Sequence, residues 1–325
     1  MRPAFKIRAD QVDVTAVIRD RLLSMRIEDE PGWKSDRVEL YLDDRDGRIA
    51  RPAKGAVLDV SIGYSETGLT HMGRFTVDEV EISGPPHRIG IFAKAADMRS
   101  EMKQPITKSW DGVTIRDLVS TIASSHGLAP AISPALAGKF YNHVDQTEES
   151  DLHLLTRLAR DLDAIAKPAS GRLLFVTRGE SKSITGKPLK HAVITPEDLA
   201  DWRMREADRE KYTAVIAHFQ DVDGGDRVPV RAGEGSPVYT IRRTYPDQAQ
   251  AYSAAVARLD ALQRGAATLA CKGRGRTDLV AEGTAALSGF RDGLDGEWTI
   301  TRATHVFSGT EAFETSFEAE TPKSK

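Results

Sequence analysis

The chain is 325 residues long, about two ordinary domains, and its 40% hydrophobic and 29% charged residues can fill cores and solvate a surface. Its 45 Lys and Arg against 48 Asp and Glu leave a formal charge of -3, which argues against a protein that holds nucleic acid by phosphate neutralisation. One cysteine, Cys271, excludes an internal disulfide or a multi-Cys zinc site.

Charges within Met1-Arg2-Pro3-Ala4-Phe5-Lys6-Ile7-Arg8 interrupt the apolar stretch that a signal peptide needs, so synthesis and residence in the cytoplasm are expected. The longest uncharged stretch, 118–138, is broken by His126, Gly127, Pro130 and Pro134, and no membrane span is expected.

Near the N-terminus the apolar period is two, the mark of half-buried strands. Val38, Leu40 and Leu42 alternate with Arg37, Glu39 and Tyr41, and the turn residues Asp43-Asp44-Arg45-Asp46-Gly47 then predict a hairpin. Leu58, Val60, Ile62 and Tyr64 repeat the alternation, and Ile89, Ile91 and Ala93 close the set. Between them, Phe75 and Val77 are odd and Val80 and Ile82 even, a switch that one extra residue near Asp78-Glu79 explains as a β-bulge.

The period then becomes helical. Thr114 and Asp117 form a capping box, Ile115, Leu118, Val119 and Ile122 share one face, and Gly127 ends the helix. Ser150 caps a second helix carrying Leu152, Leu155, Leu158, Ala159 and Leu162, which Pro168 is expected to close. Leu173-Leu174-Phe175-Val176 reads as a strand. Period two returns over 212–219 and 238–242, interrupted by a long helix from near Pro246 through Ala249, Tyr252, Val256, Leu259 and Gln263 to Gly265. Its small residues predict close packing. Phe313, Thr315, Phe317 and Ala319 share one face of the last strand, and burying each Phe contributes roughly 1.5–3 kcal/mol.

Two stretches far apart match in kind. Gly73-Arg-Phe-Thr-Val-Asp-Glu-Val80 parallels Gly296-Glu-Trp-Thr-Ile-Thr-Arg-Ala303 in the order of glycine, aromatic, threonine and β-branched residue. Gly55 with the strand 58–64 precedes the first copy, Gly283 with 285–290 the second, and an alternating strand follows each. Duplication is the preferred reading. The expected fold is therefore mainly β with an α+β insert: two related tube-like β-barrel domains, 1–100 and 206–325 (the latter with the long helix), separated by a mixed α/β insert over 101–205.

The chain offers little to a chemist. Gly186-Lys187 is followed by Pro188 instead of Ser or Thr, so no phosphate loop exists. Gly273-Arg-Gly-Arg276 lacks the rest of a dinucleotide fingerprint and reads as a basic hairpin tip. Ser100-Glu-Met-Lys103 has the Ser-x-x-Lys spacing of some acyl-transfer enzymes without their companion motifs. None of the eight histidines, at 71, 87, 126, 143, 153, 191, 218 and 305, forms a metal-binding pair.

Asp221-Val-Asp223-Gly-Gly-Asp226 departs from a calcium loop and reads as a solvated turn. His305 is a histidine held between strands more naturally than a general base, since no nucleophile accompanies it. Glu148-Glu149 and Asp43-Asp44 read as a helix start and a turn. The sequence assigns no catalytic, cofactor-binding or metal residue, expects no cofactor, and leaves the partner interface unknown.

Four stretches in order resemble the late control protein D family of contractile-tailed phages, which occurs also in phage-tail-like bacteriocins and is related to the N-terminal hub part of VgrG spike proteins. They are 30–44 with 52–64, Met72–Val80 with Gly84-Pro-Pro-His87, Gln146–Ala159, and Leu294–Ile300 with His305. The resemblance implies a structural baseplate hub and not an enzyme. In such proteins two tube-like barrels per chain assemble as a homotrimer, and six similar units join a sixfold tail tube to a threefold spike.

The resemblance further implies a separate trimeric spike protein as partner, because no β-helical needle follows within the chain. A tail tube or tube-initiator protein lies on the other side, with the tape-measure protein and other baseplate proteins as neighbours. The place of work is the tail baseplate of a virion, after synthesis in the bacterial host cytoplasm. No specific nucleic-acid binding is expected. A peptidoglycan-degrading tail enzyme and, behind it, a late transcription regulator are the alternative functions. Residues 110–131 hint at a LysM-like unit without supporting glycan binding.

Overall fold

The computed structural model of the chain describes residues 1–30, 36–95, 100–169, 171–178, 191–206, 212–221, 224–264 and 267–321. The first third forms β1 (Pro3–Ala9), β2 (Val12–Asp13), α1 (Thr15–Arg21), β3 (Leu22–Asp29), β4 (Arg37–Asp43), β5 (Val57–Tyr64), β6 (Gly68–Ser83) and β7 (Arg88–Ala95). The alternating residues Val38, Leu40, Leu42, Leu58, Val60, Ile62, Ile89, Ile91 and Ala93 all enter one core, where Phe5, Ile7, Met25, Ile27 and Phe75 join them and α1 adds Ile18. The strands run in the order β2-β1-β5-β6-β7-β4-β3, antiparallel throughout.

The parity switch in β6 is a register shift between Val77 and Glu79 against β7, as the sequence predicts. The hairpin expected at Asp43–Gly47 does not form. Strand β4 lies between β3 and β7, and the chain leaves the turn at positive-φ Gly47 to cross to β5 on the other side of β6. A turn signature specifies a reversal of direction; here the strand that follows finds its partners elsewhere.

The insert contains β8 (Pro105–Thr114), α2 (Ile115–Ser125), β9 (Ala129–Ile132), α3 (Pro134–Ala137), β10 (Phe140–Ser150), α4 (Asp151–Asp161), β11 (Ala164–Ala169) and β12 (Arg172–Thr177). Thr114 and Asp117 cap α2 reciprocally, and Ser150 Oγ accepts from His153 N at 3.2 Å to start α4. Both apolar faces meet Phe175 and Leu173 in a core of their own. Helix α4 ends at Asp161 without help from proline: Leu162 caps it, Asp163 turns at φ 49°, and Pro168 stands inside β11 opposite Leu173.

The last third begins with β13 (His191–Ile194) and β14 (Leu199–Glu206), which precede residue 206 yet hydrogen-bond into the C-terminal strands. Next come β15 (Ala214–Gln220), β16 (Arg227–Gly233), β17 (Val238–Tyr245) and α5 (Gln248–Arg264). These three strands form a separate sheet under α5, whose Ala251, Ala254 and Ala255 pack onto Val215 and Ala217 while Tyr252 faces solvent. The glycine expected to end α5, Gly265, lies outside the described residues.

Strands β18 (Ala267–Arg274), β19 (Thr284–Leu287), β20 (Gly296–Ser308) and β21 (Ala312–Glu320) complete the chain around a core of Leu269, Trp298, Ile300 and Phe317. The outer sheets of the two ends are one: β20 pairs with β3 from Ala303↔Asp29 to Ser308↔Ser24, giving thirteen strands in a single sheet. Among the described residues its ladders form an open path that curls around two cores.

Phe307 crosses this junction. It belongs to β20, yet it is fully buried in the first core, stacked on Phe313 at 4.4 Å and edge-on to Phe5 at 5.8 Å. Replacing Phe307 by Ala is expected to cost about 3–5 kcal/mol of stability in urea denaturation. Replacing the exposed Phe140 should move it by less than about 0.5 kcal/mol.

Candidate functional site: a seam between two matching sheets

The repeat seen in the sequence extends to four successive ladders of the two halves. Strands β5-β6-β7-β4-β3 and β19-β20-β21-β18-β14 lie in the same order. The registers agree as well. Val57↔Thr76 corresponds to Thr284↔Thr299, Val77↔Ala93 to Ile300↔Ala319, Leu40↔Ile91 to Cys271↔Phe317, and Ile27↔Val38 to Met204↔Leu269.

The irregularities coincide too. A bulge at Asp78 recurs at Thr301, and another at Leu23 recurs at Ala200. Gly73 and Gly296 both take positive φ, 143° and 130°; so do Gly55 and Glu282, at 89° and 67°. Gly55 N donates to Val77 O at 2.8 Å, and Glu282 N to Ile300 O at 2.8 Å. Bulges and left-handed residues carry a conformational cost, so their recurrence at matched positions reflects a common ancestor better than a common sheet geometry. Two features differ: β1 is antiparallel to β5 whereas β13 is parallel to β19, and the register shift between β5 and β6 at Val60–Ser61 has no counterpart in the four-pair β19–β20 ladder. The sequence pairs Gly55 with Gly283; the ladders set Gly55 against Glu282.

Beside the β3–β20 ladder, Tyr64 donates its hydroxyl to Gly275 O at 2.9 Å and Thr70 shares a hydrogen bond of 2.9 Å with Thr277. The glycines of Gly273-Arg-Gly-Arg276 are explained here. A Cβ on Gly273 would lie 2.2 Å from Asp198 O, and one on Gly275 2.2 Å from the Phe313 ring. The segment is thus a close-packed part of the seam and no hairpin tip, with Arg276 held by Asp278 and by Val193 O.

Charged groups close the junction where the insert meets both ends. Lys167 of β11 donates to Glu30 O at 2.7 Å and to Asp36 Oδ1 at 2.6 Å, and stands 3.7 Å from Asp29. Asp29 Oδ2 accepts from Ala281 N at 2.8 Å, and Arg302 pairs with Glu30 at 3.0 Å. Burial pushes the Asp29 carboxyl up to about 7, with the neighbouring Asp36 charge adding to it against the pull of Lys167. Burial likewise pushes Glu282 up to about 7, against Arg178. Burial works to lower Lys167, but Asp36 and Asp29 outweigh it and hold its ammonium above the usual range. Glu30 and Asp36 lie in the 30–44 stretch that carries the family resemblance, but nothing in the sequence marks them, or Asp29, Lys167, Glu282 and Arg302, as one charged cluster, because they come from separate segments.

The residues singled out as chemical candidates stay apart. His305 is fully buried, shares a hydrogen bond of 3.0 Å with Thr315, and is pushed down to about 4 by burial, so it stays neutral at physiological pH with no solvent path for a proton. Burial pushes the Cys271 thiol up to about 12. Ser100 and Lys103 occupy one short turn, and Asp221 and Asp226 flank the β15–β16 hairpin turn, whose Asp223 lies outside the described residues. Glu149, near the end of β10, pairs with Arg157 and His153 of α4. Gly186-Lys187-Pro188 also lies outside the described residues. Among those described, no three His, Cys, Asp or Glu residues converge as a metal site. Trp110 donates to Gln146 at 3.0 Å in a buried chain that continues through Asp151 to His126, which accounts for it structurally.

The chain matches the phage tail baseplate hub (GPD) family over residues 37–311. It is 33% identical to the probable baseplate hub protein of Escherichia phage P2, over 98% of this chain and 93% of the relative. This chain belongs to the phage tail baseplate hub family. The hub's fold is shared with solved structures at low identity. A tail protein from Neisseria meningitidis MC58 superimposes with a TM-score of 0.74 at 12% identity, covering 99% and 97% of the two chains. An E. coli type VI secretion system component, described as similar to the T4 tail proteins gp27 and gp5, gives 0.63 at 11%, covering 99% and 77%. The hub is a structural part of the tail baseplate of a virion, and no helix among the described residues is long and apolar enough to cross a membrane.

The raised carboxyls set a pH dependence. A carboxyl whose folded value lies above its unfolded value near 4 keeps a proton that the unfolded chain has lost, so its contribution is full at low pH and disappears as pH rises through about 7. The hub should therefore unfold at lower urea concentration at pH 8 than at pH 6. Asp29→Asn combined with Glu282→Gln should flatten that slope, and an unchanged slope would show that these two groups do not set it.

Proposed function

We propose that the hub is a homotrimeric adaptor that joins a sixfold tail tube to a separate threefold spike protein. The observation that carries this reading is the coincidence of strand order, register and bulges in the two ends of one chain. Three copies of a doubled sheet present six near-equivalent units, and a heterologous contact that closes after a full turn makes a ring. One tube surface then meets the same geometry six times while the spike meets whole chains three times.

The division of labour follows the sheets. Residues 1–95, and 191–206 with 267–321, are the two ring-forming units, while 105–178 and 214–264 are attachments with cores of their own. The tape-measure protein and other baseplate proteins are further neighbours in this reading. The hub acts by assembly and not as an enzyme: the family and the P2 relative are named for a baseplate part, and His305, the best placed general base, is enclosed.

Co-expression with the spike protein encoded beside it should yield a complex of three hubs and three spike chains by native mass spectrometry. A 1:1 pair, or no complex, would contradict the adaptor.

A further inference from the structure

The β3–β20 ladder joins the first unit to the second within a chain. The matching registers specify which strands stand ready to make the same joint a second time. By the correspondence of bulges and ladders, β14 occupies the place of β3, and the C-terminal half of β6 that of β20. Among the described residues β14 is the end of the thirteen-stranded sheet and pairs only with β18. Val80–Ser83 of β6 pair with β7 on one side and, among the described residues, have no strand on the other. Two open edges of one chain thus copy the two edges already joined.

We propose that β14 of one copy pairs antiparallel with the end of β6 of the next, and that this ladder is the contact between chains of the trimer; the inference rests on the trimeric reading above. Carrying over Ala303↔Asp29, Thr304↔Glu28, His305↔Ile27 and Val306↔Arg26 gives Val80 opposite Glu206, Glu81 opposite Arg205, Ile82 opposite Met204 and Ser83 opposite Arg203.

Three independent observations fit this register. On the core face, the seam buries His305 and Ile27 almost completely, whereas their counterparts Ile82 and Met204 are 49% exposed and half-buried, and Trp202, 39% exposed beside Phe290, stands one residue past the end of the inferred ladder. Large apolar side chains are open at the positions that the joint would cover. On the outer face, Glu79 and Glu81 of β6 are exposed and acidic, and Arg203 and Arg205 of β14 are exposed and basic; the carried-over register sets Glu81 directly opposite Arg205, with Glu79 and Arg203 as diagonal neighbours of opposite charge. Finally, Asp29 accepts from the amide of Ala281 in the seam; the matching positions are Glu206 and Lys54, again of opposite charge.

The two joints differ in length. β6 ends at Ser83, followed by Gly84-Pro85-Pro86, so the ladder between chains spans four residue pairs where the seam spans six. Phe307, which anchors the seam, has Gly84 as its counterpart. The joint between copies is the weaker of the two and depends more on charge.

Cys271 is buried and is the chain's sole cysteine, which leaves a clean background for cross-linking. In the hub–spike complex, a hub carrying both Glu81→Cys and Arg205→Cys should give covalent dimers and trimers with a short bis-maleimide, and neither substitution alone should. Separately, Glu81→Arg or Arg205→Glu should each reduce the trimeric complex roughly tenfold through like-charge contact, and the double reversal should restore it. A wild-type complex that is trimeric by native mass, without cross-linking above the single variants or without any effect of charge reversal, would overturn the inferred joint while leaving the adaptor in place. A wild-type complex that is not trimeric would overturn both.

Discussion

The pairing of β20 with β3 is the constraint on which the molecule depends. Six residue pairs tie strands nearly three hundred positions apart, and Phe307 and Phe313 carry the last strands' aromatic side chains into the first core. Without that ladder the chain would be two curled sheets on a tether. With it, the relative orientation of the two units is set by backbone hydrogen bonds, which tolerate little rotation, and the doubled sheet becomes an arc of defined curvature.

The attachments serve this arc without joining its ladders. The insert between the units reaches the seam through Lys167, which draws the carboxylates of the first unit together close to Ala281 and Glu282 of the second. A buried cation with several carboxylates and one carbonyl is a poor source of net stability but a specific one, since each partner is correct in only one arrangement of the three segments. The second attachment contributes Arg264, which pairs with Asp163 of the insert and lies 3.6 Å from Glu320 of the last strand. Charges thus lock the attachments where apolar packing locks the units.

Much of this was legible in the residues because it obeys local rules. The parity change at Asp78 marks a bulge, Thr114 and Ser150 mark helix starts, and the matched octapeptides at 73 and 296 mark a duplication whose full extent the ladders then display. What was illegible is non-local. The turn at 43–47 could not reveal that β4 and β5 belong on opposite sides of β6, and Pro168 looked like a helix stop because β11 is short and alanine-rich. The strands at 191–206 could not be separated from the insert by period. Gly273 and Gly275 read as a basic hairpin tip because the atoms that require them, Asp198 O and the Phe313 ring, lie far along the chain.

Duplication turns a threefold object into a nearly sixfold one only if both units stand at equal radius with equal tilt. Electron cryomicroscopy of the hub bound to its spike tests this most directly. The account predicts a ring in which residues 22–95 and residues 199–206 with 267–320 of each of three chains superimpose after successive turns of about sixty degrees, with one continuous sheet around the channel. A ring in which the two units lie at different radii, or a sheet interrupted between the units of a single chain, would contradict it.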